Sequence, residues 1–387
     1  MVITKFHKPI VSVNWLNENL NATNLVVLDA SIPNVSESNE TANEFCIPNA
    51  RFFDLKQKFS DTSAPFPNTM PSKEQFEEEA QKLGVNKSSF IVVYDDKGIY
   101  SSPRAWWLFR VFGFNNIAVL DGGLPAWTEA YLPLNKKECY NGTKGDFIAL
   151  EPNNSMLFFN DIQRIEANNS CQIVDARSEN RFKGIVAEPR KGLHSGRIPN
   201  SINLPYTELL NKGRLKSESE IKSIFSTIIK NKPLVFSCGS GITACILALA
   251  ADLLGFNNVS VYDGSWTEYG TLTHSRDMEN IENWSKEELV AYILLYAANS
   301  NLSETNKERD VILNKVDMQT FQKVYDEFNS DNDYQCIQKI IKGLETHDYS
   351  KTDLKQLFLD MKVLFFADGE FDQVEHTIYN WLKRILE

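Results

Sequence analysis

Apolar residues along this chain follow one rhythm up to about Ser275 and another beyond it. In the first part, short β-branched runs alternate with helically spaced segments. The runs include LVVLDA (Leu25 to Ala30), IVVYDD (Ile91 to Asp96), PLVFSC (Pro233 to Cys238) and VSVYDGSW (Val259 to Trp266). Between them lie segments such as KEQFEEEAQKLG (Lys73 to Gly84) and SEIKSIFSTIIK (Ser219 to Lys230), whose spacing predicts amphipathic helices. Strands separated by helices need crossover connections, so the expected fold is α/β, with mainly parallel sheets flanked by helices. After Ser275 Gly and Pro become scarce, and SKEELVAYILLYAA, MQTFQKVYDEF and TDLKQLFLDMKVLFFA have helical spacing with Ser or Thr at candidate N-caps. A C-terminal all-α module is expected there.

The α/β part is a repeat. LVVLDA, IPNARFFDL (Ile47 to Leu55), IVVYDD and IAVLDGGLPAW (Ile117 to Trp127) return in the same order as QIVDAR (Gln172 to Arg177), IPNSINLPY (Ile198 to Tyr206), PLVFSC and VSVYDGSW. Two homologous domains are expected, at 8–140 and 150–275, joined by the polar stretch around Asn135 to Asn154, with the helical module at 282–387. Inside that module LLYAANSNLSETNKE (Leu294 to Glu308) and VLFFADGEFDQVEHT (Val363 to Thr377) share a helix, polar turn and helix pattern at an offset of 69 residues.

A chain of 387 residues, 42% of them hydrophobic, can bury two or three cores, so disorder is not the default. Its longest apolar stretch, ITACILALAADLLGF (Ile242 to Phe256), is too short for a membrane span, and MVITKFHKPIVSVNW lacks a secretory pattern. A cytoplasmic protein with no membrane partner is expected. Cys46, Cys139, Cys171, Cys238, Cys245 and Cys336 form no C-x-x-C pair, which fits free thiols in a reducing compartment. The formal net charge of −11 argues against a nucleic-acid partner. Residues 281–387 hold 12 Lys+Arg and 20 Asp+Glu, so −8 of that charge is carried by the helical module. Asp368, Glu370, Asp372 and Glu375 lack the ligand spacing of an EF-hand loop and read as solvated charges at capped helices. No metal is expected.

The sharpest chemical feature is SCGSGITACILALAADLLG, where an apolar run delivers Cys238 to a Gly-rich turn and a long helix follows at once. A loop of six residues, Cys238 to Thr243, then bridges strand and helix, so backbone N–H groups and the helix N-terminus favour an anion. A thiol held there is expected to serve as a thiolate nucleophile. Gly239 and Gly241 let the backbone curl round the sulfur, and Ser240 and Thr243 bring hydroxyls. Cys245, one turn into the apolar helix, reads as a core residue, and the other four cysteines as structural.

CGSGITAC (Cys238 to Cys245, including Ile242) resembles the CG-S/T-GVT loop of 3-mercaptopyruvate sulfurtransferases, whereas thiosulfate-preferring rhodaneses usually place basic residues after the cysteine. DARSENRFKGIVAEPRKG (Asp175 to Gly192), SGRIPNSINLPY, VYDGSWTEYG and YSSPRAWWLFRVFGFNNIAVLDGGLPAW also resemble the tandem-rhodanese pattern, over about residues 8–272. The resemblance implies two rhodanese-like domains of which the first is inactive, and the repeat agrees, because Asp95 stands where Cys238 stands in the second copy. It further implies that Arg181 and Arg190 hold the carboxylate and keto oxygen of mercaptopyruvate, which suits planar guanidinium forks. Arg104, in SSPRAWW, is expected to be an interdomain structural residue. DGEFDQVE in the helical module resembles the acidic turn of TerB-like domains.

The chain departs from the family pattern at three places. Its active-site Ser is kept as Ser240, but the His of the first-domain HMLP segment is Asn68 in NTMP, an acidic position after FFD is Lys56, and HIPGA reads CIPNA with Cys46. A Ser-His-Asp relay is therefore not expected to operate. The implied reaction moves sulfur from 3-mercaptopyruvate through a Cys238 persulfide to cyanide, a thiol or thioredoxin, with no cofactor. Thiosulfate is the alternative donor. A slow persulfide carrier or sensor recruited through its helical tail to an unknown protein is the non-enzymatic alternative. A phosphatase is disfavoured because Thr243 and Ala244 stand where a phosphate loop ends in Arg.

Overall fold

The structure is a computed structural model in which residues 2–32, 44–190, 192–193, 195–228, 232–273, 284–299, 306–331 and 333–367, with 376, 379, 380 and 383, are described. The chain divides into two compact units, Met1–Gly270 and Thr271–Glu387.

The first unit holds two five-stranded sheets with one topology. In one, the order is Ile10–Val11, Ile117–Leu120, Phe90–Tyr94, Leu25–Asp29 and Ala50–Phe52. In the other it is Met156–Leu157, Val259–Tyr262, Leu234–Ser237, Gln172–Asp175 and Ile202–Asn203. Every pairing within these two sheets is parallel, as the crossover argument requires. The central strands, Phe90–Tyr94 and Leu234–Ser237, are buried along their whole length, which explains why both read as continuous apolar runs without alternation.

Each central strand leads through a loop into a helix, Ser102–Val111 in the first repeat and Ala244–Leu253 in the second, and these two helices pack on each other. One hydrophobic core includes Trp106 and Phe109 from the first and Ile246 and Leu249 from the second. At the same seam the Arg104 guanidinium, 1% exposed, pairs with Asp263, 2% exposed, and also donates to the Asn68 carbonyl at 2.9 Å. Arg104 thus ties the first repeat to the second through a fully buried ion pair.

The second unit is all-helical among the described residues: Lys286–Ala298, Asn306–Leu313, Met318–Ser330, Asp333–Thr346 and Lys351–Phe365. Ser285 and Ser350 form capping boxes with Glu288 and Asp353, while Asp317, where the pattern suggested Ser or Thr, caps Met318–Ser330. Lys286–Ala298 carries buried residues on every side and forms the centre of the core with Phe321, Ile340, Met361 and Leu364. The buried Lys339 ammonium is neutralised by Glu327 and by Asp331 at 2.8 Å. The acidic turn at Asp368, Glu370, Asp372 and Glu375, which carries the TerB-like resemblance, lies outside the described residues. Among the described residues no helix is long and apolar enough to cross a membrane.

Candidate active site

The buried strand Leu234–Ser237 brings Cys238 to the carboxyl edge of the second sheet, where open α/β sheets bind ligands. Gly241 has φ +74°, and a Cβ there would lie 2.5 Å from the Asp263 carbonyl, so only glycine lets the loop close against the Val259–Tyr262 strand end. Cys238 is 2% exposed and forms the floor of a cavity of about 310 Å³ that also includes Gly239, Ser240, Ile242 and Thr243. Of the sequence-derived loop residues, Gly241 alone does not line the cavity and instead packs against the Asp263 carbonyl. Two details differ from the expected cradle. The N–H groups of Cys238 and Gly241 both donate to Ser265 Oγ at 3.1 Å, and no described hydrogen bond uses the Thr243 hydroxyl.

Ser265 is a residue that the motif reading missed. Its Oγ lies 3.9 Å from Cys238 Sγ and its φ is +51°, in the left-handed region that a serine enters at some cost. The repeat offered the signal, since DGG of the first copy becomes DGS in the second and Gly123 has φ +52°. The following residues clamp the loop as well, because the Trp266 and Thr267 N–H groups donate to the Cys238 and Gly239 carbonyls at 3.0 and 2.9 Å.

The first repeat shows what the equivalent loop does with a carboxylate. Asp95 follows its central strand, is fully buried, and accepts from the N–H groups of Lys97, Tyr100, Ser101 and Ser102 at 2.9–3.0 Å and from the Ser102 hydroxyl at 2.6 Å. Burial pushes this carboxyl up from its ordinary value, and the ring of donors opposes that shift only in part. The loop geometry thus surrounds a carboxyl group with donors in one copy, and the other copy presents a thiol at the same position.

Arg181 and Arg190 both reach over Gly239: a Cβ on Gly239 would meet Arg181 Nη2 at 2.9 Å and Arg190 Nη1 at 3.9 Å. Their partners differ. Arg181 pairs with Glu188, which is itself held by Arg177 at 2.8 Å. Arg190 donates to Ser240 Oγ at 3.1 Å and Thr267 Oγ1 at 3.2 Å and has no carboxylate partner among the described residues. It is the better placed of the two to receive an incoming anion.

Two of the three family departures, Lys56 and Asn68, also come to this site. Lys56 Nζ donates to Asn68 Oδ1 at 2.6 Å, and Asn68 Nδ2 donates to Ser240 Oγ at 2.9 Å and the Ser240 carbonyl at 3.1 Å. Lys56 lines the cavity, and burial, aided by the nearby Arg190 and Arg104 charges, pushes its ammonium down to about 8. Cys245, by contrast, is fully buried, sits 3.3 Å from the Gly241 carbonyl, and burial pushes its thiol up to about 12, which suits a core residue. Cys46, Cys139, Cys171 and Cys336 are free thiols away from this cavity.

Comparison with known proteins agrees with this architecture. The Rhodanese-like domain model matches residues 12–130 and again 160–272. A mouse 3-mercaptopyruvate sulfurtransferase is 38% identical over 281 residues, covering 70% of this chain and 94% of the relative, and a mouse thiosulfate sulfurtransferase is 34% identical over the same shares. The crystal structure of SseA from Escherichia coli, a 3-mercaptopyruvate sulfotransferase of rhodanese fold, superposes with a TM-score of 0.61 at 34% identity, covering 67% of this chain and 99% of its own. The chain belongs to the rhodanese family, with two Rhodanese-like domains in tandem. Like its curated relatives, it is a sulfurtransferase.

Proposed function

We propose that the chain is a 3-mercaptopyruvate sulfurtransferase that carries sulfur as a persulfide on Cys238. The Cys238 thiolate attacks the sulfur of 3-mercaptopyruvate, the carbon–sulfur bond breaks, and its electron pair leaves on carbon as the enolate of pyruvate. Water supplies one proton to that carbon, so pyruvate and the Cys238 persulfide result. A thiol, cyanide or thioredoxin then attacks the outer sulfur and restores the thiolate. The reading calls on no metal or organic cofactor, because sulfur itself is the group transferred.

The observation that carries the donor assignment is Arg190, whose guanidinium reaches over Gly239 without a carboxylate partner among the described residues. A 2-oxo acid has its carboxylate several bonds from its sulfur and can meet Arg190, with Arg181 beside it, while the sulfur meets Cys238. Thiosulfate concentrates its charge next to the sulfur, and GSGIT offers no cation in the loop itself. Thiosulfate nevertheless remains the second reading, because the cavity wall is cationic and one relative bears that name. The deciding measurement is kcat/KM for each donor with cyanide as acceptor. A higher value for thiosulfate overturns the assignment, and turnover too slow with either donor points to a persulfide carrier recruited through the helical unit to another protein. The first repeat, with Asp95 in the cysteine position, is assigned as the inactive copy. The cytoplasm is the compartment in which the free thiols of this chain make most sense.

A further inference from the structure

The first repeat lacks the nucleophile, yet it sends two side chains to the reacting loop. Lys56 Nζ donates to Asn68 Oδ1 at 2.6 Å, and an ammonium has no acceptor to offer, so the amide must turn its oxygen towards Lys56 and its NH₂ towards Ser240. That NH₂ donates to Ser240 Oγ at 2.9 Å, and Arg190 Nη2 donates to the same oxygen at 3.1 Å. A hydroxyl has two acceptor sites and one proton. Both sites on Ser240 are taken, and among the described residues no acceptor is recorded for its proton. Ser240 is 7% exposed and borders the cavity that Cys238 floors, so the free proton faces that space. Asn68 is itself pinned by Arg104, which donates to its carbonyl at 2.9 Å while paired with Asp263.

We infer that Lys56 and Asn68 are positioning residues that fix Ser240 as a hydrogen-bond donor towards the donor substrate and leave it no lone pair with which to act as a base. The chain of bonds runs one way: Lys56 to Asn68, Asn68 to Ser240, Ser240 to the cavity. In the transfer step the electron pair of the breaking carbon–sulfur bond passes to the enolate of pyruvate, and the Ser240 proton hydrogen-bonds to the anion that develops there without being transferred. This inference rests on the 3-mercaptopyruvate reading and names the groups that serve it. It also gives the nucleophile-free repeat a part in the reaction.

The test is Asn68→Asp, which keeps the shape and the bond to Lys56 but sets an acceptor opposite Ser240, so that the serine proton turns away from the cavity. Persulfide formation on Cys238 is followed by intact mass after mixing the full-length protein with 3-mercaptopyruvate. A loss of roughly tenfold or more is expected, as for a hydrogen bond to a charged group. Ser240→Ala should cost about as much, and the double variant should cost no more than either single variant. Lys56→Arg should keep most of the rate, and Lys56→Met should not. The pH profile adds a reading that mere packing would not move. Lys56 is faced by Arg104 and Arg190, with Asp54 accepting its backbone N–H and Arg181, Tyr100, Tyr206 and Cys238 elsewhere in the cavity lining. The wild-type rate should fall as pH rises through the range where Lys56 loses its proton, and Lys56→Arg should move that fall to higher pH. Full activity of Asn68→Asp, or an unchanged alkaline limb in Lys56→Arg, would overturn the inference while wild-type turnover leaves the donor assignment standing. A wild type that gains no sulfur from 3-mercaptopyruvate overturns that assignment, and the inference with it.

Discussion

Ser265 Oγ takes the backbone N–H of Cys238 at 3.1 Å and lies 3.9 Å from its sulfur, while its own backbone sits at φ +51°. A serine in that conformation is strained relative to glycine by about 1 kcal/mol. The first repeat uses Gly123 at φ +52° in the equivalent turn. The second repeat therefore keeps a less favourable residue where its hydroxyl can hold the N–H groups of Cys238 and Gly241. Ser265→Gly relieves the strain and opens space for water to reach the two N–H groups, whereas Ser265→Ala keeps the strain and leaves them buried without an acceptor, at about 1–3 kcal/mol. The expected order of stability in denaturant is wild type or Ser265→Gly first and Ser265→Ala last. Both variants should lose sulfur transfer at least about tenfold, because the loop that presents the thiol loses its anchor. Full transfer activity in Ser265→Gly would show that the loop holds its shape without this residue.

Cys238→Ser is expected to abolish sulfur transfer while leaving the fold intact, since serine fits the same buried position and cannot hold sulfane sulfur. Intact mass after donor treatment should show one added sulfur on the wild type and none on the variant. Asp95→Asn, at the matching position of the first repeat, is the informative contrast. It leaves transfer chemistry untouched but exchanges an acceptor of five hydrogen bonds for a group that must place an NH₂ among donors, so a loss of about 1–3 kcal/mol in stability is expected by chemical denaturation. A persulfide mapped to Cys245 would move the nucleophile from the loop into the helix that follows it and remove the central assignment.

The duplicated architecture was legible because crossover strands and their order recur in the sequence, and a strand-to-helix loop is a local feature that spacing can reveal. Cys238, Gly239, Ser240, Gly241, Ile242 and Thr243 are contiguous, so finding one finds all. Partners supplied by tertiary contact were not legible. Asn68 meets Ser240 across 172 positions and Met70 meets Asp263 across 193, and no periodicity links such pairs. Lys56 and Asn68 stood out only as departures from a family pattern, without a sign that they touch each other. Ser265 was visible in principle as DGS against DGG, but a single serine in a turn carries no chemistry until the structure shows whose N–H groups it takes. Arg181 and Arg190 looked alike in the sequence, and the folded chain separates them by the presence of Glu188.

Truncation near residue 280 is expected to leave a folded and active sulfurtransferase. Both sheets and the cavity belong to Met1–Gly270, and the helical unit has its own core around Leu289, Phe321, Ile340 and Met361. The measurements are a cooperative thermal transition and kcat/KM for 3-mercaptopyruvate in the shortened chain. Loss of turnover with the transition intact would make the helical unit part of the catalytic assembly.

Arg181 and Arg190 should differ when each is replaced by alanine. In Arg181→Ala, Glu188 keeps Arg177 at 2.8 Å, so the buried carboxylate stays compensated and the cavity loses a cation whose charge was already shared. In Arg190→Ala the cavity loses the guanidinium that has no carboxylate partner among the described residues, together with one of the two donors to Ser240. A lost hydrogen bond to a charged group is worth about 1.5–3 kcal/mol, or roughly tenfold to a hundredfold in kcat/KM. Arg190→Ala is therefore expected to fall in that range for 3-mercaptopyruvate, and Arg181→Ala to fall by less. The control is alkylation of Cys238 by a small neutral reagent, which needs the thiolate and the loop but no carboxylate site. If alkylation and turnover fall together in Arg190→Ala, this arginine supports the thiolate or its loop. If turnover alone falls, it binds the donor, and the larger loss at Arg190 follows from Glu188 standing beside Arg181.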